Sequence, residues 1–458
     1  MVGDLPQRLA PGQRPALAVG RGLCAVAVLF ASGDVWPVFH IGFTFRLAQF
    51  CIIAAAIFLL TIRDLPIRSF PGIGWLYAFC VWVAVTLPAS LYLERSLAYV
   101  VWAVADAMIV LVFVQCFRER ADVLNLFKWA LTSYVILSLF GILQFSLYWR
   151  GIDLFVREWW LKGRIARING LSYEPSYYAT YLIPGWVASF YLIERRAKSP
   201  SQRLQWLCFI TTTVALLLSS SRMGYLMMAI WSLFRGVLQP LRALIHGAVR
   251  RSRLRTILAG ASAFLLLIIG VIRYRRRLLE LAAALPFLFS GLGILGHSAQ
   301  SAGTRLESLA RTWEAFVQHP VIGTGIGALP VDIAGQTDQG IYNLQEAKNF
   351  EGMSIAAEVL ASTGIVGGAI VLGLVLSVLR AYRRSRVYAA PWQRLVLSAQ
   401  GWGLLWMLLM LQMNQNFLRI YIFVDLAVLT CTIMLPVTEQ QTAIREDCSI
   451  SALVHESK

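Results

Sequence analysis

Apolar runs of about 20 residues recur along most of this chain, and they constrain its fold more than any other feature. Each run is long enough to cross roughly 30 Å of hydrocarbon as a helix, and helix is required because lipid offers backbone groups no water partner. The chain of 458 residues is 58% apolar and 14% charged, whereas soluble domains are about a quarter charged. We therefore predict an all-α integral membrane protein with about twelve transmembrane helices. The predicted spans are 16–33, 40–61, 71–92, 97–117, 124–147, 176–194, 205–220, 223–238, 256–272, 353–379, 394–412 and 417–436.

Basic residues fall mainly in alternate loops, and this bias predicts that both termini are cytoplasmic. Much of the net charge of +17 then comes from basic residues in cytoplasmic loops, so nucleic acid is not a predicted partner. The stretch 278–296 is nearly apolar enough to span, but we interpret it as interfacial or re-entrant, because spanning would invert every later loop. The predicted organisation is spans 1–9 in residues 1–272 with a shorter periplasmic loop at about 148–175, a large helical periplasmic loop at 273–352, spans 10–12 in 353–436, and a cytoplasmic tail at 437–458.

The stretch "RINGLSYEPSYYATYL" places charge where the chain enters a predicted span. Either Glu174 caps the helix and pairs with Arg167, or it is a carboxylate in a wet outer cleft that acts as a base or binds a sugar hydroxyl. Tyr177, Tyr178 and Tyr181 follow at helical spacing and favour an interfacial aromatic belt.

In "LLLSSSRMGYL", two apolar runs meet at a very short predicted outer turn that contains Ser221 and Arg222. Arg222 either snorkels to headgroups or faces the bundle and holds a lipid-linked phosphate, with a serine hydroxyl and a helix N-terminus assisting. Arg164, Arg167 and Arg305 are also predicted to lie on the outer side, and a bound anion such as a pyrophosphate is one reason to keep basic residues there.

The segment from Thr304 to Pro330, "TRLESLARTWEAFVQHPVIGTGIGALP", predicts an amphipathic helix and then a glycine loop. A set of apolar residues recurs at three- and four-residue steps, so we expect that face to pack: Leu306, Leu309, Trp313, Phe316 and Val317. The alternating glycines, Gly323 and Gly325 among them, either approach a ligand closely or form a tight turn. Both Arg305 and His319 also have plain interpretations, as a solvated helix face and as a helix C-terminal residue favoured by the dipole.

Glu351, in "NFEGMSIAAEVLASTGIVGG", is predicted at the outer membrane edge, as is Glu174. Near the last outer turn, Asn414, Asn416 and Arg419 are interpreted as capping and snorkelling residues. The chain has five histidines, none at a metal-ligand spacing, so no metal site and no cofactor is predicted.

These motifs together resemble the O-antigen ligase and O-antigen polymerase (Wzy-like) superfamily of bacterial polytopic glycosyltransferases. The matching pieces are "RINGLSYEPSYYATYL", "LSSSRMGYL", "RTWEAFVQHPVIGTGIGAL" and "EVLASTGIVGG". The resemblance implies a GT-C-like fold in the bacterial inner membrane and a metal-independent transferase with a periplasmic active site. It also implies an undecaprenyl-diphosphate-linked oligosaccharide as donor, with membrane lipid and a chain-length co-polymerase as further candidate partners.

By that resemblance, Arg222 and Arg305 would hold the lipid diphosphate and Arg164 or Arg167 would assist. Either Glu174 or Glu351 would activate the acceptor hydroxyl. The further substrate-binding candidates are Ser221, Tyr178, Trp313, Gly323, Gly325 and His319.

The ligases of this superfamily carry a histidine late in the outer loop, where this chain reads "NFEGMS". The departure favours a polymerase of lipid-linked repeat units, for exopolysaccharide or O-antigen. A ligase that transfers glycan to lipid A core or protein and a non-catalytic polysaccharide exporter stay open. An exporter should have charged or broken helices at mid-membrane, whereas here we expect the charged residues at the outer edge.

Overall fold

The computed structural model describes residues 13–41, 43–62, 65, 67–161, 165–197, 201–235, 297–336, 350–414 and 417–435. Each predicted span within those ranges corresponds to a helix, which confirms the helical class over the described part of the chain. The predicted span 256–272, the stretch 278–296 and the tail 437–458 lie outside the described residues. The helices are α1 (Gln13–Leu29), α2 (Leu47–Leu60), α3 (Ile73–Val85), α4 (Leu93–Cys116), α5 (Arg120–Tyr148), α6 (Pro175–Glu194), α7 (Gln202–Ser219), α8 (Arg222–Leu233), α9 (His297–Gln318), α10 (Leu329–Gly335), α11 (Ile355–Tyr388), α12 (Pro391–Met410) and α13 (Ile420–Ile433).

Among the described residues, four helices are long and apolar enough to cross a membrane: α4, α5, α11 and α12, the last continued to Met413. Four shorter apolar helices accompany them, within α1, α2, α3 and α13. Their composition is that of a membrane-embedded protein.

Within the described residues, two β-hairpins interrupt the helices. One consists of β1 (Val38–Ile41) and β2 (Phe43–Arg46), the other of β3 (Glu158–Leu161) and β4 (Ile165–Arg167). The first hairpin corrects the predicted span 40–61, whose helix begins only at Leu47. Aromatic and β-branched residues alternate there, as in Phe39 opposite Phe45, and such residues favour strands.

The centre of the bundle is α6, which packs against α7 and α12. Nearly every side chain from Tyr177 to Leu192 is buried, as expected of a helix that is apolar all round. Pro184 lies inside α6 and removes one backbone donor from it. The three tyrosines expected in an interfacial belt are therefore inside the bundle, with Tyr178 donating a hydrogen bond to the carbonyl oxygen of Leu137 at 2.7 Å.

Candidate functional site

Ionic contacts that join distant parts of the chain lie at the end of the bundle that the charge bias predicts to face the periplasm. Asp34, in the loop after α1, accepts from Arg46 Nε at 3.0 Å and from Arg419 Nη1 at 3.1 Å. Arg46 ends β2 and Arg419 stands directly before α13. The side chains of Asp34 and Arg419 are only 8% and 6% exposed, so this pairing fixes the hairpin and α13 to the loop after α1.

A second buried ion pair lies beside the first. Arg95, in the first turn of α4, donates through Nη2 to Glu351 Oε1 and to the Tyr99 hydroxyl, each at 3.0 Å. The charges of Arg419 and Glu351 also interact, so the two ion pairs lie near each other. We call Asp34, Arg46, Arg95, Glu351 and Arg419 the arginine network.

Two guanidinium nitrogens of the arginine network make no hydrogen bond to any described residue. Within the described part of the chain, neither Arg95 Nη1 nor Arg419 Nε has a hydrogen-bond partner, and both atoms are buried. Buried donors are nearly always paired, and guanidinium groups pair most strongly with anionic oxygens. The network therefore has unused capacity for a polar or anionic oxygen beside Glu351.

The turn between α7 and α8 consists of Ser220 and Ser221. Ser221 is the N-cap of α8, and its hydroxyl accepts from the Gly224 amide at 3.3 Å. Arg222 is the first residue of α8 and is half-buried. Arg222 is therefore at the N-terminus of a helix, and both an arginine and a helix N-terminus favour the binding of an anion.

Arg167, at the end of β4, links the second hairpin to this turn. It pairs with Glu158 across the hairpin and donates to the Ser220 carbonyl oxygen at 3.3 Å. Burial raises the pKa of the Glu158 carboxyl, Arg167 opposes that increase, and nearby Glu174 adds to it. We call Glu158, Arg167, Glu174, Ser220 and Arg222 the turn cluster.

Glu174 occupies the N-cap position of α6, but its carboxylate makes no cap hydrogen bond. It accepts instead from the Ser176 hydroxyl at 3.1 Å. The alternative in which Glu174 pairs with Arg167 is not what the structure has, because the partner of Arg167 is Glu158.

The glycine loop after α9 is bound to a break in α11. Gly364 has φ 67° and ψ −173° inside α11, and Gly323 and Gly325 have φ of 75° and 97°. A Cβ on any of the three would collide with a neighbour across this contact or with Ser90. The loop therefore forms a tight turn against α11, and a role for Gly323 or Gly325 in binding substrate stays a prediction. The bonds are Thr324 N to Ala361 O at 2.9 Å, Gly325 N to Ser362 O at 3.1 Å and Ile365 N to Pro320 O at 2.8 Å.

The other predicted residues of this segment lie on or just after α9. Trp313 is exposed, and His319 Nε2 lies 3.7 Å from Asp332 Oδ1. The expectation of one packed face is wrong for Leu306, Trp313 and Val317, which are exposed. The other two residues of that face, Leu309 and Phe316, are partly buried, and Phe316 packs against a buried cluster that contains Leu329. Arg164 lies outside the described residues, as does the side chain of Arg305.

Sequence reasoning missed several polar residues. Asp106 lies inside α4 and is completely buried, with Gln49 donating to it at 3.3 Å. Asp425 lies inside α13, accepts from the Tyr134 hydroxyl at 2.8 Å and lines a cavity of about 20 Å³ with Gln400. The expectation that charged residues stay at the outer edge is wrong for these two. Both were visible in the sequence as single acids within apolar runs, "AVADAMIV" and "IFVDLAVL".

Comparison with known families bears on one part of the chain. Residues 207–372 match the family model described as O-antigen ligase, Wzy_C. The match supports the predicted superfamily over this segment, which is less than half of the chain. No curated protein matches the chain. The O-antigen ligase match covers Arg222, Arg305 and Glu351, whereas Asp34, Arg95 and the other arginines of the network lie outside it.

Proposed function

We propose that the protein is a polymerase of undecaprenyl-diphosphate-linked repeat units, which transfers the growing glycan to the sugar hydroxyl of an acceptor repeat. The observation that carries the proposal is the ion pair of Glu351 with Arg95, which lies just before the start of α11. Ligases of the resembled superfamily carry a histidine in that part of the outer loop. A half-buried carboxylate that is fixed by Arg95 would supply a base in its place.

In the proposed reaction, the acceptor hydroxyl oxygen attacks the anomeric carbon of the donor glycan and forms the new glycosidic bond. Its proton passes to the Glu351 carboxylate. The bond between the anomeric carbon and the diphosphate oxygen breaks, and its electron pair leaves with the diphosphate. Arg222 and the N-terminus of α8 stabilise the charge that develops on that oxygen.

Arg305 would contact the same diphosphate, and Arg164 or Arg167 would assist. Because Arg167 is already engaged by Glu158 and Ser220, its part would be to hold the α7–α8 turn and to reach substrate only by exchanging partners. Glu174, beside the turn cluster, is the rival base.

A ligase is the second candidate, and two observations favour it. The matching family model is described as O-antigen ligase. His319 Nε2 lies 3.7 Å from Asp332 Oδ1, and an imidazole near a carboxylate can serve as a base.

The test is a deletion strain of the bacterium that carries this gene, complemented with the parent, Glu351→Gln or His319→Ala. A polymerase predicts that single-repeat lipid intermediates accumulate without it and that Glu351→Gln fails to restore chains. Full-length chains stranded on the carrier, with His319→Ala failing to complement, would identify a ligase. Restoration of full chains by both variants would exclude Glu351 and His319 as the base and leave either Glu174 as the base or an exporter.

A further inference from the structure

Helix α9 has three distinct faces over its described side chains. Thr312 and Ala315 are completely buried, on the side that packs against α11. Leu306, Trp313 and Val317 recur seven and four residues apart, so they share a face, and they are 69%, 51% and 60% exposed.

The third face is polar. Glu307, Glu314 and Gln318 each follow one residue after a member of the apolar stripe, so they lie about 100° further around the helix. All three are exposed. An exposed apolar stripe beside an exposed polar one is the pattern of a helix that lies in a membrane interface.

The apolar stripe continues beyond α9. Val321 and Ile322 follow it at 58% and 37% exposed. The Pro320 carbonyl oxygen accepts from the Ile365 amide at 2.8 Å, which brings the stripe to the surface of α11.

On α11, the exposed apolar surface runs on through Ile365 and Leu372, at 59% and 57% exposed. These residues are seven apart on a helix long and apolar enough to span a membrane, so they face lipid. The apolar face of α9 is therefore the extension of a lipid-facing surface. Tryptophan, at its centre, is the residue type enriched where hydrocarbon meets headgroups.

We propose that α9 is an interfacial helix whose Leu306, Trp313 and Val317 stripe binds the lipid leaflet at the end where α11 begins. The occupant of the stripe is bilayer lipid, and Glu307, Glu314 and Gln318 face water. This inference is independent of the reaction proposed above. It adds a membrane contact outside the spanning helices, made by the helix that carries Arg305.

The test places a photo-crosslinking amino acid at single positions of the full-length protein in lipid nanodiscs, with mass spectrometry of the adducts. Trp313 and Val317 are the test positions, Glu314 and Gln318 their matched neighbours, and Leu372 the lipid-facing reference. We expect lipid adducts at Trp313 and Val317 at a yield close to that at Leu372 and at least about fivefold above that at the polar neighbours.

Three results would overturn the proposal. Adducts between the stripe and a peptide of this chain or of a second copy would show that protein covers it. Equal lipid yields at all four α9 positions would remove the facial difference on which the proposal rests. An absence of lipid adducts at Trp313 and Val317, with adducts present at Leu372, would place α9 in water.

Discussion

The arginine network and the turn cluster use the same residue types at the same end of the bundle, but they differ in burial. Asp34 and Arg419 are less than a tenth exposed, and their contacts join segments hundreds of residues apart. Arg167 and Glu158 are 24% and 39% exposed, and their contacts stay within the second hairpin and the adjacent turn.

Burial determines what each group can do. A buried ion pair is costly to disrupt, because removal of one partner leaves the other charge without compensation in a low dielectric. A half-exposed arginine can exchange a carboxylate partner for a substrate phosphate at little cost. The network is thus suited to hold Glu351 in place for the acceptor, and the turn cluster to receive the leaving diphosphate.

The largest expected effect is on the stability that the buried arginine network gives to the fold. Replacement Asp34→Ala leaves Arg46 and Arg419 without the carboxylate that they share and should lower the free energy of unfolding by about 3–5 kcal/mol. Thermal unfolding in detergent measures the change. The double variant Asp34→Ala with Arg419→Ala should recover part of the loss, because one of the two uncompensated guanidinium groups is gone. A loss below about 1 kcal/mol would mean that the network is not a structural unit.

The second effect is on turnover, in the turn cluster. Replacement Arg222→Ala should lower the rate of glycan transfer about 10²–10³-fold, as removal of one transition-state donor does. Arg203→Ala, at the opposite end of α7, is the control and should leave the rate unchanged. Equal rates for Arg222→Ala and the parent would remove the turn cluster from the reaction.

Each region contains one candidate base, Glu351 in the arginine network and Glu174 in the turn cluster, so replacing each base tests its region directly. Replacement Glu351→Gln should lower kcat about 10²–10⁴-fold through loss of the base, whereas Glu174→Gln should change it by less than about tenfold. Single-turnover measurements of both variants decide between them. The reverse result would move the base from the arginine network to the turn cluster.

The smallest effect is on Glu158. Its raised pKa means that the ionised carboxylate is less favourable in the folded protein than in the unfolded chain. The protonated carboxyl of Glu158 therefore stabilises the folded protein relative to the unfolded chain. This contribution to stability is present below the ordinary glutamate pKa of 4.5 and is lost as the pH rises through the raised pKa. Glu158→Gln should weaken the dependence of the free energy of unfolding on pH in that range. At neutral pH it should change the free energy of unfolding by less than about 1 kcal/mol, because exposed ion pairs contribute little. A larger loss would mean that the Arg167 pair is structural.

The helices were predictable because hydrocarbon length and hydropathy are local properties of the chain. The first hairpin was not, because the apolar run from Val38 to Arg46 is equally suited to a buried strand. In the site, Arg222 and Glu351 were marked by charge at the edge of apolar runs. Their environment was hidden, because Arg95 meets Glu351 across 256 positions of sequence, which no local pattern encodes.

The most direct measurement of the central claim is transfer by the purified protein in nanodiscs, supplied only with single lipid-diphosphate-linked repeat units from its host. If the protein is a polymerase, we expect a ladder of products separated by one repeat unit. The ladder should be absent with Arg222→Ala and with Glu351→Gln. A folded parent that forms no ladder, but transfers glycan once a core lipid or a protein acceptor is added, would contradict the polymerase and establish a ligase.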